Sequence, residues 1–260
     1  MSEPYMVRVV ARAVDPIAVV GFTGTVAEAV ALKHLGEGLH DARPKPFSAK
    51  PIFHNGRPVV DKAAIAPGDL VELSFGLASE EMAWRLVDGV AGKGVELFGK
   101  RLAVEEVEVR NAFLDLPTTQ CFKLEFLSPT RFAVRPLYKR RRALFDFTPR
   151  PLNLFKSAVR HGRALGLVRL GAPFLKWVHT YVALTDFGCF GKCVKTVEMP
   201  NGGLARGFVG WALYRAFGKR RTADMWRAIR LMETFNVGTG RGMGLGAVKA
   251  TPLDCPSRPA

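Results

Sequence analysis

Five glycines alternate through Gly238-Thr239-Gly240-Arg241-Gly242-Met243-Gly244-Leu245-Gly246, and one cation stands among them. Glycine loses more conformational freedom on folding than any other residue. A run this dense therefore marks a backbone that takes φ > 0 or passes close to another body. With Arg241 at its centre, that body is expected to be an anion, approached by the backbone of Gly238, Gly240, Gly242, Gly244 and Gly246. Neither standard phosphate loop fits. The dinucleotide pattern requires glycine at the sixth position of GxGxxG, where the counts from Gly238 and Gly240 place Met243 and Leu245. The Walker pattern requires Ser or Thr after Gly-Lys, and none of the Gly-Lys pairs here has one. Taken alone, the run would read as a flexible turn.

The charge of the chain argues for more than a turn. Residues 1–125 hold 14 Lys/Arg against 17 Asp/Glu, whereas residues 126–260 hold 24 against 6. A half this basic favours a polyanion by counterion release, and nucleic acid is the usual one. Lys139-Arg140-Arg141-Arg142 is a candidate for gripping its backbone, together with Arg160 on a helix expected over Leu152–Leu165. An anionic membrane surface is the competing partner, but no lipidation signal or basic amphipathic anchor accompanies the charge.

At 260 residues, 48% of them hydrophobic, the chain suffices for one large or two modest domains. The expectation is two, 1–117 and 118–260. No apolar run approaches the ~18 residues of a spanning helix, and the opening MSEPYMVRVVARAV lacks the layout of a secretion signal, so no membrane association and a cytoplasmic location are expected. Of Cys121, Cys189, Cys193 and Cys255, only one pair is closely spaced, as CxxxC without a histidine set. That argues against zinc and for buried free thiols. No metal or cofactor motif is present.

The elements that would position these groups follow from pattern. Met6–Val14 reads as a strand. Thr25 with Glu28 gives a capping-box signature for a helix through Leu39. Strands are expected over Phe47–Phe53 and Asp69–Phe75, a helix over Glu80–Val90, and extended chain over Val95–Val109, which together make the βαββαβ order of a ferredoxin-like domain. The second half repeats the theme. Cys121–Leu127 and Arg131–Leu137 read as strands joined at Ser128-Pro129-Thr130. Cys193–Met199 and Gly203–Phe217 read as a hairpin, Ala223–Phe235 as a helix, and the glycine loop leads to a last strand ending at Ala250 before a loose tail. The fold class is thus α+β, two tandem ferredoxin-like (RRM-like) domains with a C-terminal glycine-rich loop. Around Gly207-Phe208-Val209-Gly210-Trp211, Phe208, Gly210, Ala212 and Tyr214 share one face and Val209, Trp211 and Leu213 the other; most of this is expected to be sheet core, with base stacking the alternative.

Leu127-Ser128-Pro129-Thr130-Arg131-Phe132, then Gly207-Phe208-Val209-Gly210-Trp211, then Phe235-Asn236-Val237-Gly238-Thr239-Gly240 with Gly244-Leu245-Gly246, resembles the CRISPR-associated endoribonuclease that processes precursor crRNA, a member of the RAMP superfamily. Leu39-His40-Asp41 and Lys45-Pro46-Phe47-Ser48 agree with that family's first domain. The resemblance implies CRISPR repeat RNA as partner, bound across two ferredoxin-like domains. It also implies cleavage without metal, by attack of a ribose 2′-hydroxyl on the adjacent phosphate, leaving a 2′,3′-cyclic phosphate and a 5′-hydroxyl. Other CRISPR effector-complex subunits are further candidate partners, for a monomer or homodimer.

Such chemistry requires a proton acceptor, a proton donor and positive charge on the phosphorane. The resemblance assigns His40 and Lys45 to these tasks. Histidine suits proton transfer near neutral pH, and a lysine suits the charge. The chain departs from the family at Ala29, which stands where the best-known form of the site has a first-helix tyrosine, and its glycine loop is shorter than is typical. Tyr138 and Tyr214 are the tyrosines that would have to compensate. His34 is expected to be a solvated helix residue, His54 a turn residue beside Asn55-Gly56, and His161 and His179 packing or phosphate contacts. Two rival functions follow from the missing tyrosine and the charge: a catalytically inactive crRNA-binding scaffold of the same superfamily, and a general basic RNA-binding protein.

Overall fold

The structure, a computed structural model, describes residues 2–134, 144–189, 191–200 and 202–255. The first half runs β1 (Tyr5–Ala13), β2 (Ile17–Val19), α1 (Thr23–Leu35), β3 (Phe47–Ala49), β4 (Phe53–His54), β5 (Arg57–Pro58), β6 (Ala63–Ile65), β7 (Leu70–Leu77), α2 (Glu80–Lys93), β8 (Val95–Leu97) and β9 (Lys100–Asn111). Its main sheet has the order β5-β4-β7-β1-β9-β8, with β3 also on β7. The antiparallel centre β7-β1-β9, crossed by α1 and α2, is the ferredoxin-like arrangement. Along β1, Val7, Val9, Ala11 and Ala13 alternate into the core while their neighbours stay partly exposed, as a two-residue period dictates.

The second half runs β10 (Cys121–Thr130), β11 (Phe132–Val134), β12 (Leu144–Asp146), α3 (Pro151–Ala164), α4 (Ala172–Tyr181), β13 (Val182–Gly188), β14 (Val194–Glu198), β15 (Leu204–Ala216), α5 (Thr222–Phe235) and β16 (Val248–Leu253). The sheet order β13-β15-β10-β16, with β14 on β15, repeats the first. Phe122 anchors its core: fully buried, it stacks on Tyr214 at 4.9 Å and meets Trp226 edge-on at 5.9 Å. Such a ring contributes roughly 1.5–3 kcal/mol by burial. Of the two faces of β15, the one with Phe208, Ala212 and Tyr214 packs into the core, and Val209, Trp211 and Leu213 are half-buried. Tyr214 donates its hydroxyl to the Pro149 carbonyl at 2.8 Å, which removes it as a substitute for the missing first-helix tyrosine.

Several boundaries differ from the expectation. The capping box does not form: α1 begins at Thr23, whose hydroxyl donates to the Val59 carbonyl, and Thr25 donates to the Phe22 carbonyl at 2.8 Å. It ends at Leu35, because Gly36 turns away at φ 114° while its N–H still closes on Leu32. His40 therefore follows a separate 3₁₀ turn over Glu37–Leu39 and does not end the helix. Ser128-Pro129-Thr130 is the irregular end of β10, not a turn, and β11 pairs with β12. The segment α4–β13 has no counterpart in the sequence reading. Thr251–Leu253 belongs to β16, where pairing with Cys121–Lys123 holds what read as a tail.

The free-thiol expectation is also corrected. Cys121 is bonded to Cys255 and Cys189 to Cys193, with Cα separations of 5.3 and 5.1 Å. Pairing of β10 with β16 sets Cys121 opposite Leu253, two residues before Cys255, and the turn between β13 and β14 closes the other pair. His34 is buried rather than solvated. It wedges between α1 and α2 where Gly89 leaves room for it, and desolvation lowers its pKa. His54 is the last residue of β4, ahead of the Asn55-Gly56 turn rather than in it as expected, and lies 2.7 Å from Asp69. His179 is exposed on α4.

The two halves meet along α5. A Cβ on Gly76 would fall 1.7 Å from the Thr234 carbonyl oxygen, and Ser48 donates to that same oxygen at 2.5 Å. The C-terminal end of α5 thus lies directly on β3 and β7. The glycine loop follows from that anchored end.

Candidate active site and anion pocket

Where the loop returns between the halves, it floors a cleft of about 580 Å³. One wall is formed by Thr25, Glu28, Ala29 and Leu32 of α1, with Ala29 exposed and Glu28 buried, continued by His40. The other comprises Arg131 and the turn and start of the β14–β15 hairpin, and Met243 and Leu245 close the floor. His40 is exposed to this space. Lys45 enters through α1: its ammonium is ion-paired with the Glu28 carboxylate, in a contact whose side chains are only 19% and 7% exposed. His40 lines this cleft, whereas Lys45 is not among its lining residues and reaches its edge through Glu28, which lines the cleft and pairs with the lysine. Ala29 sits on the same wall and supplies no hydroxyl.

Arg131 was not singled out from the sequence. Its Nε–H donates to Thr239 Oγ1 at 3.2 Å and its guanidinium lies 4.3 Å from the centre of the Phe145 ring. Burial lowers its pKa, and no carboxylate is paired with it among the described residues. A cation on an aromatic face keeps its charge available to an incoming phosphate. The sequence signal was its place in the Ser128–Phe132 motif beside the glycine loop.

A second pocket, of about 440 Å³, lies between α3, β11 and the loop. It brings together Arg160, Gly238 and Arg241, which the sequence proposed, and adds Lys156 and Ser157. No Asp or Glu lines it among the described residues. Arg241 Nη2 donates to Ser157 Oγ at 2.8 Å and to the Gly238 carbonyl at 3.2 Å, while Nη1 is buried without a partner. Burial, and then the neighbouring charge of Arg160, depresses the Arg241 pKa to about 10. Lys139, Arg140, Arg141, Arg142 and Tyr138 lie outside the described residues.

The glycines serve space as much as conformation. Added Cβ atoms would meet the Arg131 carbonyl oxygen at 2.1 Å from Gly238, Leu245 Cδ1 at 2.7 Å from Gly240, Gly24 Cα at 2.6 Å from Gly244, and the Val237 carbonyl oxygen at 1.8 Å from Gly246. Asn236 pins the loop, its side-chain amide donating to the Ala49 and Arg241 carbonyls at 2.8 Å each.

Beneath the second pocket, His161 packs edge-on against Phe235 at 5.1 Å with Nε2 buried and unpaired. Desolvation, then Arg241 and Arg160, lowers its pKa to about 3. Its unfolded value is near 6.5, so between pH 6.5 and 3 the unfolded chain binds the proton and the folded one does not. Stability falls as pH drops through that window, by up to about 2 kcal/mol from pH 7 to pH 5. Denaturant melts at both pH values should show this loss reduced in His161→Leu; an unchanged difference would place the acid sensitivity elsewhere.

Residues 124–248 match the family model described as CRISPR-associated endoribonuclease Cas6. No curated protein matches the sequence. Among solved structures, a Thermus thermophilus Cas6 is similar at TM-score 0.64 and 16% identity, covering 96% of this chain and 99% of that one. A Cas6 product complex reaches 0.67 at 18%, covering 95% and 99%. The product of a Cas6-related gene from Pyrococcus furiosus reaches 0.65 at 12%, covering 95% and 98%. The chain therefore has the fold of the Cas6 structures over nearly its whole length, and its second half carries the sequence pattern of Cas6, the CRISPR-associated endoribonuclease family that the residues themselves resemble.

Proposed function

We propose that this protein is an endoribonuclease that binds CRISPR repeat RNA and cuts precursor crRNA without a metal ion, by 2′-hydroxyl attack that leaves a 2′,3′-cyclic phosphate and a 5′-hydroxyl. The observation that supports this reading is the cleft between the halves, lined by His40, Arg131 and Glu28, with Lys45 ion-paired to Glu28 behind that wall. An imidazole supplies the proton transfers, and two cations supply charge for the phosphorane. The donor set thus meets the requirements of the transesterification with the protein's own groups. Similar structures include Cas6 complexes with product and with a substrate mimic, and a RAMP protein described as binding different RNA substrates. The test is cleavage of a cognate CRISPR repeat RNA in excess EDTA. Cutting is expected to persist; loss of cutting that magnesium restores would overturn the metal-free mechanism.

Ala29 on the cleft wall favours one alternative, an inactive crRNA-binding scaffold. A protein that binds the repeat specifically and never cuts it would be that scaffold, and one that binds any RNA alike would be a general basic RNA-binding protein.

RNA binding is assigned to the basic second half, with Arg160, Arg241 and the glycine loop at the second pocket and Arg140, Arg141 and Arg142 beside it in sequence. Lys156 and Arg160 are exposed, so Lys156→Gln with Arg160→Gln leaves the core intact. The double variant should bind repeat RNA more weakly, with the slope of log K against log salt reduced by about 1.4, or roughly 0.7 for each phosphate no longer neutralised. Unchanged affinity and slope would move the RNA away from this pocket.

A further inference from the structure

Lys45 is held from two sides, by residues from opposite halves of the chain. On the α1 side, Glu28 is the carboxylate ion-paired with its ammonium among the described residues, and Glu28 is almost wholly buried. On the other side is Gly242. Its neighbours Gly238, Gly240, Gly244 and Gly246 all have left-handed φ, but Gly242 does not. Backbone conformation therefore does not require a glycine there. What occupies the space is the lysine: a Cβ at Gly242 would lie 2.6 Å from Lys45 Cδ and 3.2 Å from its Nζ, with Glu28 Oε1 at 3.4 Å, so a side chain there would push the flexible lysine end from its place. The lysine stem passes through the volume that any side chain at 242 would fill. Asn236 ties the loop to the end of β3, the strand that begins two residues after Lys45.

We propose that Glu28 and Gly242 are positioning residues for Lys45, the carboxylate orienting its ammonium and the bare glycine admitting its stem beside the catalytic cleft. This rests on the endoribonuclease reading, in which Lys45 stabilises the phosphorane. A long flexible lysine placed only by solvent would have to be ordered at the moment of reaction. One already held by a buried carboxylate and a fitted backbone is preorganised, which is the condition under which charge lowers a barrier most. The same arrangement gives the glycine loop a role in chemistry that is separate from any contact with RNA. Nothing in the spacing of residues 28, 45 and 242 marks them as a set.

The test is a cycle of variants in single-turnover cleavage of the repeat RNA, with affinity measured in parallel and folding checked by thermal melting. Lys45→Ala sets the reference loss. Glu28→Gln keeps the shape and removes the charge; it is expected to slow cleavage by roughly tenfold or more, the scale of a displaced catalytic group, and to leave RNA affinity within about twofold. Glu28→Asp should recover part of the rate. Gly242→Ala should slow cleavage in the same way, and it serves as an independent variant if Glu28→Gln folds poorly. The deciding result is non-additivity: Glu28→Gln or Gly242→Ala placed on Lys45→Ala should cost nothing further, because all three act through one ammonium. General structural damage would instead multiply with the loss from Lys45→Ala. The proposal is overturned if Lys45→Ala is slow while Glu28→Gln and Gly242→Ala cut at the parental rate, or if the losses multiply. Parental cutting by Lys45→Ala would instead overturn the assignment of Lys45 itself, and this proposal with it.

Discussion

His40→Ala is expected to lower the single-turnover rate of repeat cleavage by about 10²-fold or more, with RNA binding nearly unchanged. The magnitude is that of a lost general acid or base. The structure makes the experiment clean. His40 is exposed, follows a short 3₁₀ turn and contributes no side-chain hydrogen bond to the described core. Its removal should therefore change stability by no more than about 0.5 kcal/mol. A falling rate at constant affinity then reports chemistry alone. If the variant cuts as fast as the parent, proton transfer lies elsewhere. His161 and Tyr214 are poor replacements, because one is packed on Phe235 beneath the second pocket and the other is committed to Pro149 in the core. The search would turn to Tyr138, outside the described residues.

How far these features could be read from the sequence depends on what kind of interaction made them. The two βαββαβ halves were legible because alternation along strands and face-burial along helices are local and periodic, as β1 and α2 show. The segment α4–β13 was not. Pro173 near the start of α4 reads as a break, and the apolar run from Tyr181 to Leu184 passes from helix into strand without punctuation. Pro129 reads as a turn, yet β10 runs through it at a register shift. The pair proposed for catalysis is harder still. His40 and Lys45 emerge only through resemblance, since neither has a periodic signature. The Glu28–Lys45 contact spans 17 residues, a helix end and a connector, and is fixed by tertiary packing alone. The glycine run was conspicuous, but its composition does not tell close approach to an anion from close approach to protein. At Gly238, Gly242, Gly244 and Gly246 the near atoms are the protein's own.

The largest effect is expected from the substrate rather than from the protein. One 2′-deoxyribose placed immediately upstream of the scissile phosphate should abolish cutting and leave binding almost intact. If the 2′-oxygen is the nucleophile, its removal deletes the reacting atom, which no arrangement of His40, Lys45 or Arg131 can replace. Binding survives because phosphate contacts dominate affinity for single strands, and a single hydroxyl among many contacts contributes little to them. The products of the unmodified RNA supply the matching observation, a 2′,3′-cyclic phosphate on one fragment and a 5′-hydroxyl on the other. The two measurements separate the mechanisms. Normal cutting of the deoxy substrate would show that water attacks, and would require a group in the cleft to activate it. The carboxylate that lines the cleft among the described residues, Glu28, is engaged with Lys45 and almost closed to solvent, so under that outcome His40 would be the group to test as the base that activates the water.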